Sequence, residues 1–512
     1  MPSAWQKFKN AFFPANVSIY AAAPTVKIRI ERLAGRASPP PGYAAEDEKR
    51  IVVTEESTHP ELSTKRVPNA FDKVTKLAGS SVVVFVMLGI LVLWLVMGLV
   101  YGTTDTWQII LQNASSIQVY VTDILLIRQA SNAQHSLMTT IAELQSRNQT
   151  CERLLSLIPG CQWMETHKEE PKKLSLNGRP IEEEVEETLF MVTGRPSGMR
   201  AAWNKTCHVI ATAVGSLWAF IVYWIGIGVW IAIGPLYQFS DTWQLYINTA
   251  TALSLTLTSV FLQNIQQAQE DKLEKCLAYA LKVDAEIEYK LRELTEDSKP
   301  NPIFEIAAPK RNRSERAITR FADTMGSGLG VMISLVATAA WFAVGPILQF
   351  SDNWWLIIGT FTGLVGFIDG FVLRNIYHRD ENYAKTQFRY LELSDMKLLE
   401  KLNVNPPSHA PEKRSLSTRI SISVGNAMGH RWTSIGAVFV VIMLLITASF
   451  LRWSETGQLL CNTPTMIAEG FLLLVLIQAH NIANLERGED FNGVLKRRLM
   501  LSSYVHAIDE SF

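Results

Sequence analysis

Residues Ala78–Tyr101 read AGSSVVVFVMLGILVLWLVMGLVY and contain no charged side chain. A bilayer core is crossed by about 20 apolar residues of helix, so this stretch predicts a transmembrane helix. Three more segments carry no charge: Ile210–Leu236, Gly326–Ile347 and Ile435–Leu451. Each is followed within a few residues by a second apolar stretch with scattered polar groups, roughly Trp107–Ile127, Trp243–Leu262, Trp354–Leu373 and Pro464–Ile477. Core helices of soluble proteins rarely lack charges over such lengths. The expected fold is therefore all-α: a polytopic membrane protein of eight transmembrane helices arranged as four repeated hairpins, with cytosolic helical extensions.

The hairpins are in register. Gly79, Gly215, Gly326 and Gly429 each open a first helix, and 26 residues further on stand Asp105, Asp241, Asp352 and Glu455. Fifteen residues on stand Trp94, Trp230 and Trp341, with Leu444 in the fourth unit. A constant spacing in four units argues for a duplicated supersecondary element. Trp107, Trp243 and Trp354 follow the turn acids by two residues, a placement that suits an interfacial aromatic belt.

Composition agrees: 48% of the 512 residues are hydrophobic and 19% charged, against about 25% charged in soluble domains. The formal net charge of +0 gives no sign of a nucleic-acid partner. The five cysteines, Cys151, Cys161, Cys207, Cys276 and Cys461, form no CxxC pair and no zinc spacing. No cleavable signal peptide is expected. The hairpin turns hold a single basic residue, Arg452, while the flanking segments are rich in Lys and Arg, such as Lys310, Arg311 and Arg313, or Lys496, Arg497 and Arg498. The positive-inside rule then puts the turns outside and both termini in the cytosol. The sequons at Asn16, Asn113, Asn148, Asn204 and Asn312 would stay unglycosylated.

The expected organisation is a disordered cytosolic N-terminus (1–66), repeat 1 (67–159), a linker (160–199), repeat 2 (200–295), a linker (296–314), repeat 3 (315–404) and repeat 4 (405–512). After each second helix the pattern stays helical. Leu137, Ile141, Leu144, Cys151 and Leu155, and Leu273, Leu277, Ala280, Ile287, Leu291 and Leu294, fall at heptad spacing, which predicts a collar of packed extensions.

Several motifs resemble the fungal low-affinity iron (Fe2+/Zn2+) permease family: Ser240-Asp241-Thr242-Trp243-Gln244 after Gly234-Pro235, Leu262-Gln263-Asn264, Gln118-x-Tyr120-x-x-Asp123 with Arg128-Gln129, Arg374-Asn375 and His480-Asn481. The resemblance covers residue 70 to about residue 500. It implies a plasma-membrane carrier of ferrous iron at low affinity that also accepts zinc, copper and manganese. No resident cofactor is implied, since Fe2+ and other divalent cations are the transported substrates. The partners are metal ions and the lipid bilayer, with no nucleic acid; a homo-oligomer stays open.

All intramembrane acids lie on the second helices, so these should face the centre and the first helices lipid. On a wheel of 100° per residue, offsets 3, 7, 14 and 18 from the turn acid share one face. They are Gln108, Gln112, Val119 and Asp123; Gln244, Asn248, Leu255 and Ser259; Trp355, Gly359, Gly366 and Gly370; Gln458, Asn462, Glu469 and Leu473; His480 continues the last. Small residues and amides on this stripe also serve helix packing. Acids at depth are costly without a cation, and carboxylate, amide and imidazole together suit a first-row divalent metal. Candidate metal residues are Asp123, Glu469 and His480, the amides Gln112, Asn248 and Asn462, and the turn acids Asp105, Asp241, Asp352 and Glu455, which also read as helix N-caps. Gly359 is expected to leave room for retained water, and Asp369 to pair with Arg374. No Walker motif, TVGYG filter or histidine cluster is present, so a pump or an enzyme is not expected. A monovalent cation channel and a non-transporting membrane metal sensor are the alternatives.

Overall fold

The computed structural model describes residues 19–32, 49–57, 70–158, 175–176, 179–180, 187, 198–404 and 415–509. Each repeat contributes three helices. A short one comes first: α1 (Ala70–Ala78), α4 (Met199–Val214), α7 (Arg313–Met325) and α10 (Leu416–Met428). An apolar one follows: α2 (Ser81–Tyr101), α5 (Leu217–Ile233), α8 (Gly328–Val344) and α11 (Arg431–Phe450). The third is very long: α3 (Asp105–Leu157), α6 (Asp241–Thr295), α9 (Asp352–Lys401) and α12 (Glu455–Asp509). At 1.5 Å per residue these last run about 75–80 Å, so each expected inner span and its extension form one continuous rod. Among the described residues seven helices are long and apolar enough to cross a membrane, and eight if α7 and α8, bent by 66° at their break, are taken as one span.

The first apolar helices begin later than hydropathy suggested in three repeats, because the glycine ahead of each breaks the chain. In all four repeats that glycine closes the short helix, and its Cα sits against the neighbouring repeat. A Cβ on Gly79 would come within 2.7 Å of Gln267 Cβ, on Gly215 within 2.8 Å of Asn481 Nδ2, on Gly326 within 2.8 Å of Ile127 Cγ2, and on Gly429 within 2.7 Å of His378 Cβ. Carbonyls at this break accept hydrogen bonds from the same neighbour. Asn264 Nδ2 donates to Gly79 O at 2.8 Å, Asn375 Nδ2 to Gly429 O at 2.7 Å, Arg128 Nη1 to Gly326 O at 3.5 Å and Asn481 Nδ2 to Ala211 O at 2.8 Å. Repeat 1 thus leans on repeat 2, repeat 2 on repeat 4, repeat 4 on repeat 3 and repeat 3 on repeat 1. The four long helices pack in that same cyclic order, a pseudo-fourfold ring.

The first apolar helices form the outside of this ring. Leu93 (60% exposed), Val222 (66%), Leu335 (65%) and Phe439 (63%) would be a large apolar patch in water and are at home in lipid. Each is clasped to its long helix. Trp94 and Trp107 stack at 3.8 Å, and each indole N–H donates to the other's backbone carbonyl at 3.2 and 3.1 Å. Trp230 with Trp243 (3.9 Å) and Trp341 with Trp354 (4.2 Å) repeat the arrangement. The aromatic residues thus also have a packing role: an indole N–H removed from water needs an acceptor, and the 13-residue hairpin spacing supplies one. In repeat 4 Leu444 has no indole, and its carbonyl accepts from Cys461 Sγ at 3.1 Å.

Beyond the ring the long helices form a distal bundle whose core contains the predicted heptad residues, among them Leu137, Ile141, Leu144, Cys151, Leu155, Leu277, Ala280, Ile287 and Leu291. Forty-three residues after each turn acid stand Asn148, Asp284, Asp395 and Arg498, at most 3% exposed. They meet in one network: Arg498 reaches Asp284 at 3.2 Å, Asp395 at 3.0 Å and Asn148 at 3.4 Å, and Arg497 reaches Asp395 at 3.2 Å. Arg147 and Arg292 share Glu288 alongside, at 3.0 and 2.9 Å. Burial pushes the Asp284 carboxyl up to about 6, against the pull of Arg498 and Arg147.

Two sequence expectations change here. The segment 1–66, expected disordered, contains strands β1 (Ile19–Ala22), β2 (Pro24–Arg32) and β3 (Lys49–Ser57), and the linker 296–314 contains β6 (Phe304–Ala307). β1 pairs antiparallel with β6, and Tyr20 and Ala22 pack into the distal core beside Ile306. β2 pairs with β3; β4 (Ser175–Leu176) and β5 (Arg179–Pro180) form a third small ladder. The helical body is therefore trimmed with short strands. The expectations for residues 1–18, 33–48, 58–69 and most of 159–197 lie outside the described residues.

Candidate functional site

The axis of the ring is lined by the apolar halves of α3, α6, α9 and α12, and it changes character layer by layer. At the hairpin end the turn acids are the first helical residues rather than N-caps. The hydroxyl before each does the capping where it caps at all: Thr104 Oγ1 accepts from Trp107 N at 3.2 Å, Ser240 Oγ from Trp243 N at 3.4 Å and Ser454 Oγ from Gly457 N at 3.3 Å. An acid in the first turn is favourable against the helix dipole. Asp105 is exposed, Asp241 and Glu455 are half-buried, and Asp241 Oδ2 accepts from Thr456 Oγ1 of repeat 4 at 3.2 Å. The side chain of Asp352 lies outside the described residues.

Seven to eight residues in, about 10 Å along the helices, comes a layer of amides. Gln112 Nε2 donates to Leu245 O at 3.4 Å and Thr249 Oγ1 at 3.3 Å on α6, so that amide joins two helices and only its Oε1 is left without a partner. Asn248 is fully buried with both polar atoms unpartnered, and Asn462 Oδ1 is unpartnered as well. Gly359 does not leave a gap for water. A Cβ there would come within 2.3 Å of Asn113 Oδ1, so the Asn113 amide of repeat 1 occupies the space, with Asn462 Nδ2 at 3.9 Å. Asn113, buried with both polar atoms unpartnered, is a polar residue that the helical stripe did not select. An asparagine inside an apolar span was the available signal.

The next layer is acidic. Asp123, Asp369 and Glu469 are at most 4% exposed and lie within electrostatic range of one another. The Glu469 carboxylate rests against bare backbone, since a Cβ on Gly366 would come within 2.6 Å of Oε1. Both oxygens of Asp369 and Oδ1 of Asp123 lack hydrogen-bond partners. Asp369 does not pair with Arg374, whose Nε donates to Gly425 O at 3.1 Å; this acid belongs to the central group. None of the three carries an ion pair among the described residues. Neither do any three His, Cys, Asp or Glu side chains there converge closely enough to hold one ion. Carboxylates buried without a basic partner are expensive in a low dielectric unless a cation or protons share them.

His480 is not part of this group. It stands 11 residues beyond Glu469, about 16 Å along α12, with its ring edge-on to Tyr377 at 4.6 Å and Nε2 unpartnered. The structure therefore brings Asp123 and Glu469 together, adds Asp369 to them and Asn113 to the amide layer, and leaves His480 further along α12 toward the distal bundle.

The fourfold repeat has a match in known sequences. The model of a family described as low affinity iron permease matches residues 68–160, 203–313, 314–404 and 417–487, one stretch per repeat. The chain belongs to this family. The low-affinity iron/zinc ion transport protein fet4 of Schizosaccharomyces pombe is 41% identical over 434 residues, 84% of this chain and 72% of that protein. A low-affinity Fe(2+) transport protein of Saccharomyces cerevisiae is 34% identical over 470 residues, 87% of this chain and 84% of that protein. No solved structure matches. As a permease with several long apolar helices, the chain is a multi-pass membrane protein.

Proposed function

We propose that this protein takes up divalent metal cations at low affinity across the plasma membrane, ferrous iron chiefly and zinc, copper and manganese besides. The observation that carries the reading is the column of buried, unpartnered amides and three ion-pair-free carboxylates on the axis of a fourfold ring. Each repeat forms a two-span hairpin, eight spans in all, with the turns outside and both termini and the distal bundle in the cytosol. The asymmetry of Lys and Arg supports that orientation.

Each layer has a role in this account. The turn acids Asp105, Asp241, Asp352 and Glu455 raise the local cation concentration at the outer mouth. The amides Asn113, Asn248 and Asn462, with the free oxygen of Gln112, replace part of the hydration shell without adding charge, which keeps binding weak and release fast. Glu469, Asp369 and Asp123 then supply hard oxygen ligands, and the arriving cation neutralises carboxylates that carry no ion pair among the described residues. His480 receives the ion at the inner end through Nε2. Radiolabelled ferrous iron uptake in cells, competed with zinc, copper and manganese, tests the reading. Saturable uptake suppressed by these ions is expected. Tracer entry insensitive to all three, or equal to that of cells without the protein, overturns it and leaves a monovalent channel or a sensor.

A further inference from the structure

The turn acids provide a common ruler for the four long helices. Four residues after them stand Ile109, Leu245, Leu356 and Leu459, each at most 2% exposed. These four form a buried cluster of their own, apart from the main cores, with Trp355 packed against it. One residue from each member of a four-helix ring, all at one level and in one cluster, closes the axis at that level. The level lies about 6 Å below the turn acids and above the amides. Twenty-one residues after the turn acids each long helix carries a leucine: Leu126, Leu262, Leu373 and Leu476 are at most 1% exposed and lie within one larger buried core. Between the two levels lie buried polar atoms without partners, on Asn113, Asn248, Asn462, Asp123 and Asp369.

Leucine layers are common in helical bundles, where they form a continuous seam. Here the seam is interrupted. Eleven residues after the turn acids the axial residues are Ser116, Ala252, Gly363 and Met466, and the amides and acids lie to either side. The large aliphatic rings flank the amide and acid layers, one on each side. An apolar constriction blocks a hydrated ion by excluding water, and yields when the helices part slightly.

We propose that Ile109, Leu245, Leu356 and Leu459 are the outer gate of the ion path, and that Leu126, Leu262, Leu373 and Leu476 are its inner counterpart, so that the amide and acid layers form a chamber occluded from both sides. The proposal rests on the axial path of the preceding reading. Its experiment is a labelling rate. Ser116→Cys, below the outer ring, is exposed in cells to a small impermeant cationic methanethiosulfonate, with the parent and its native cysteines as blank. The expected result is slow labelling with the ring intact and at least tenfold faster labelling when Leu245→Ala and Leu459→Ala are added. Modification should abolish ferrous iron uptake. Equal rates in the two backgrounds, or labelling with the ring intact as fast as at Gln238→Cys in the exposed turn, overturn the gate. Faster labelling that leaves uptake untouched overturns the axial path instead. Rates are normalised to surface protein. Should the double variant fail to reach the surface, Leu459→Val replaces it, with at least a twofold acceleration expected and an unchanged rate counting against the gate.

Discussion

Replacing Arg498 by methionine tests how the distal bundle is held together. The Arg498 side chain is 2% exposed and lies 3.2 Å from Asp284 Oδ1 and 3.0 Å from Asp395 Oδ1, at ion-pair distance though not aligned as full hydrogen bonds. Asp395 keeps Arg497 at 3.2 Å and Asn148 at 3.2 Å after the change. Asp284, fully buried, loses its one close cation, because Arg147 is engaged by Glu288 at 3.0 Å. Breaking a buried pair by removing one partner costs about 3–5 kcal/mol, whereas removing both charges is often close to neutral. The oblique geometry puts Arg498→Met near the lower figure, about 3 kcal/mol, and predicts that adding Asp284→Asn recovers more than half of the loss. The assay is the apparent melting temperature of detergent-solubilised protein, followed by fluorescence-detected size exclusion at a fixed heating time. A single variant that melts with the parent would show that the pair is energetically idle. A double variant that melts below the single one would refute the argument that the stranded carboxylate carries the cost.

Trp107→Ala removes one stacked ring and the indole bond from Trp107 to Trp94 O, while the carbonyl of residue 107 still accepts from Trp94; a loss of about 3 kcal/mol should appear as a lower melting temperature with normal apparent affinity in the protein that survives. Gly326→Ala forces a Cβ to within 2.8 Å of Ile127 Cγ2, so surface expression should fall, while Gly89→Ala, with open space around it, should leave expression unchanged. Gly359→Asp must displace the Asn113 amide; it should reduce surface protein rather than tighten metal affinity, as uptake kinetics per surface molecule would show. Orientation is tested by single cysteines: Thr103→Cys and Gln238→Cys should react with an impermeant reagent in intact cells and Leu485→Cys, 71% exposed on α12, should not; the opposite pattern inverts the topology.

Hydropathy and the fixed glycine-to-acid spacing made the apolar hairpins legible, because both follow directly from bilayer thickness and duplication. The cyclic order of the repeats was not legible, because it depends on which neighbour receives each glycine, and no single repeat encodes that. Asp369 was misplaced by a straight wheel. On a period of 3.5, the repeat of a packed helix seam, a drift of about 20° per heptad moves a residue 17 positions along by about 50° toward the axis. Asn113 was read only as a sequon, although Gly359 opposite it had already given up its side chain to make room. Asn148, likewise read as a sequon, sits in the distal polar network, where its Nδ2 donates to Ser394 Oγ at 2.8 Å. The β1–β6 ladder was hidden by the charge and proline around it, though apolar residues alternate at Val26, Ile28 and Ile30 in the neighbouring strand.

The central claim is that the buried carboxylates carry the ion, and ferrous iron uptake by Glu469→Gln and by Asp123→Asn tests it most directly. Both changes keep the shape of the side chain and remove only the charge. Uptake per surface molecule should fall at least tenfold in each and further in the pair, with melting temperature equal to or above that of the parent, because a costly buried charge is gone. Parental uptake in the double variant would contradict the account and leave the acids without a part in transport.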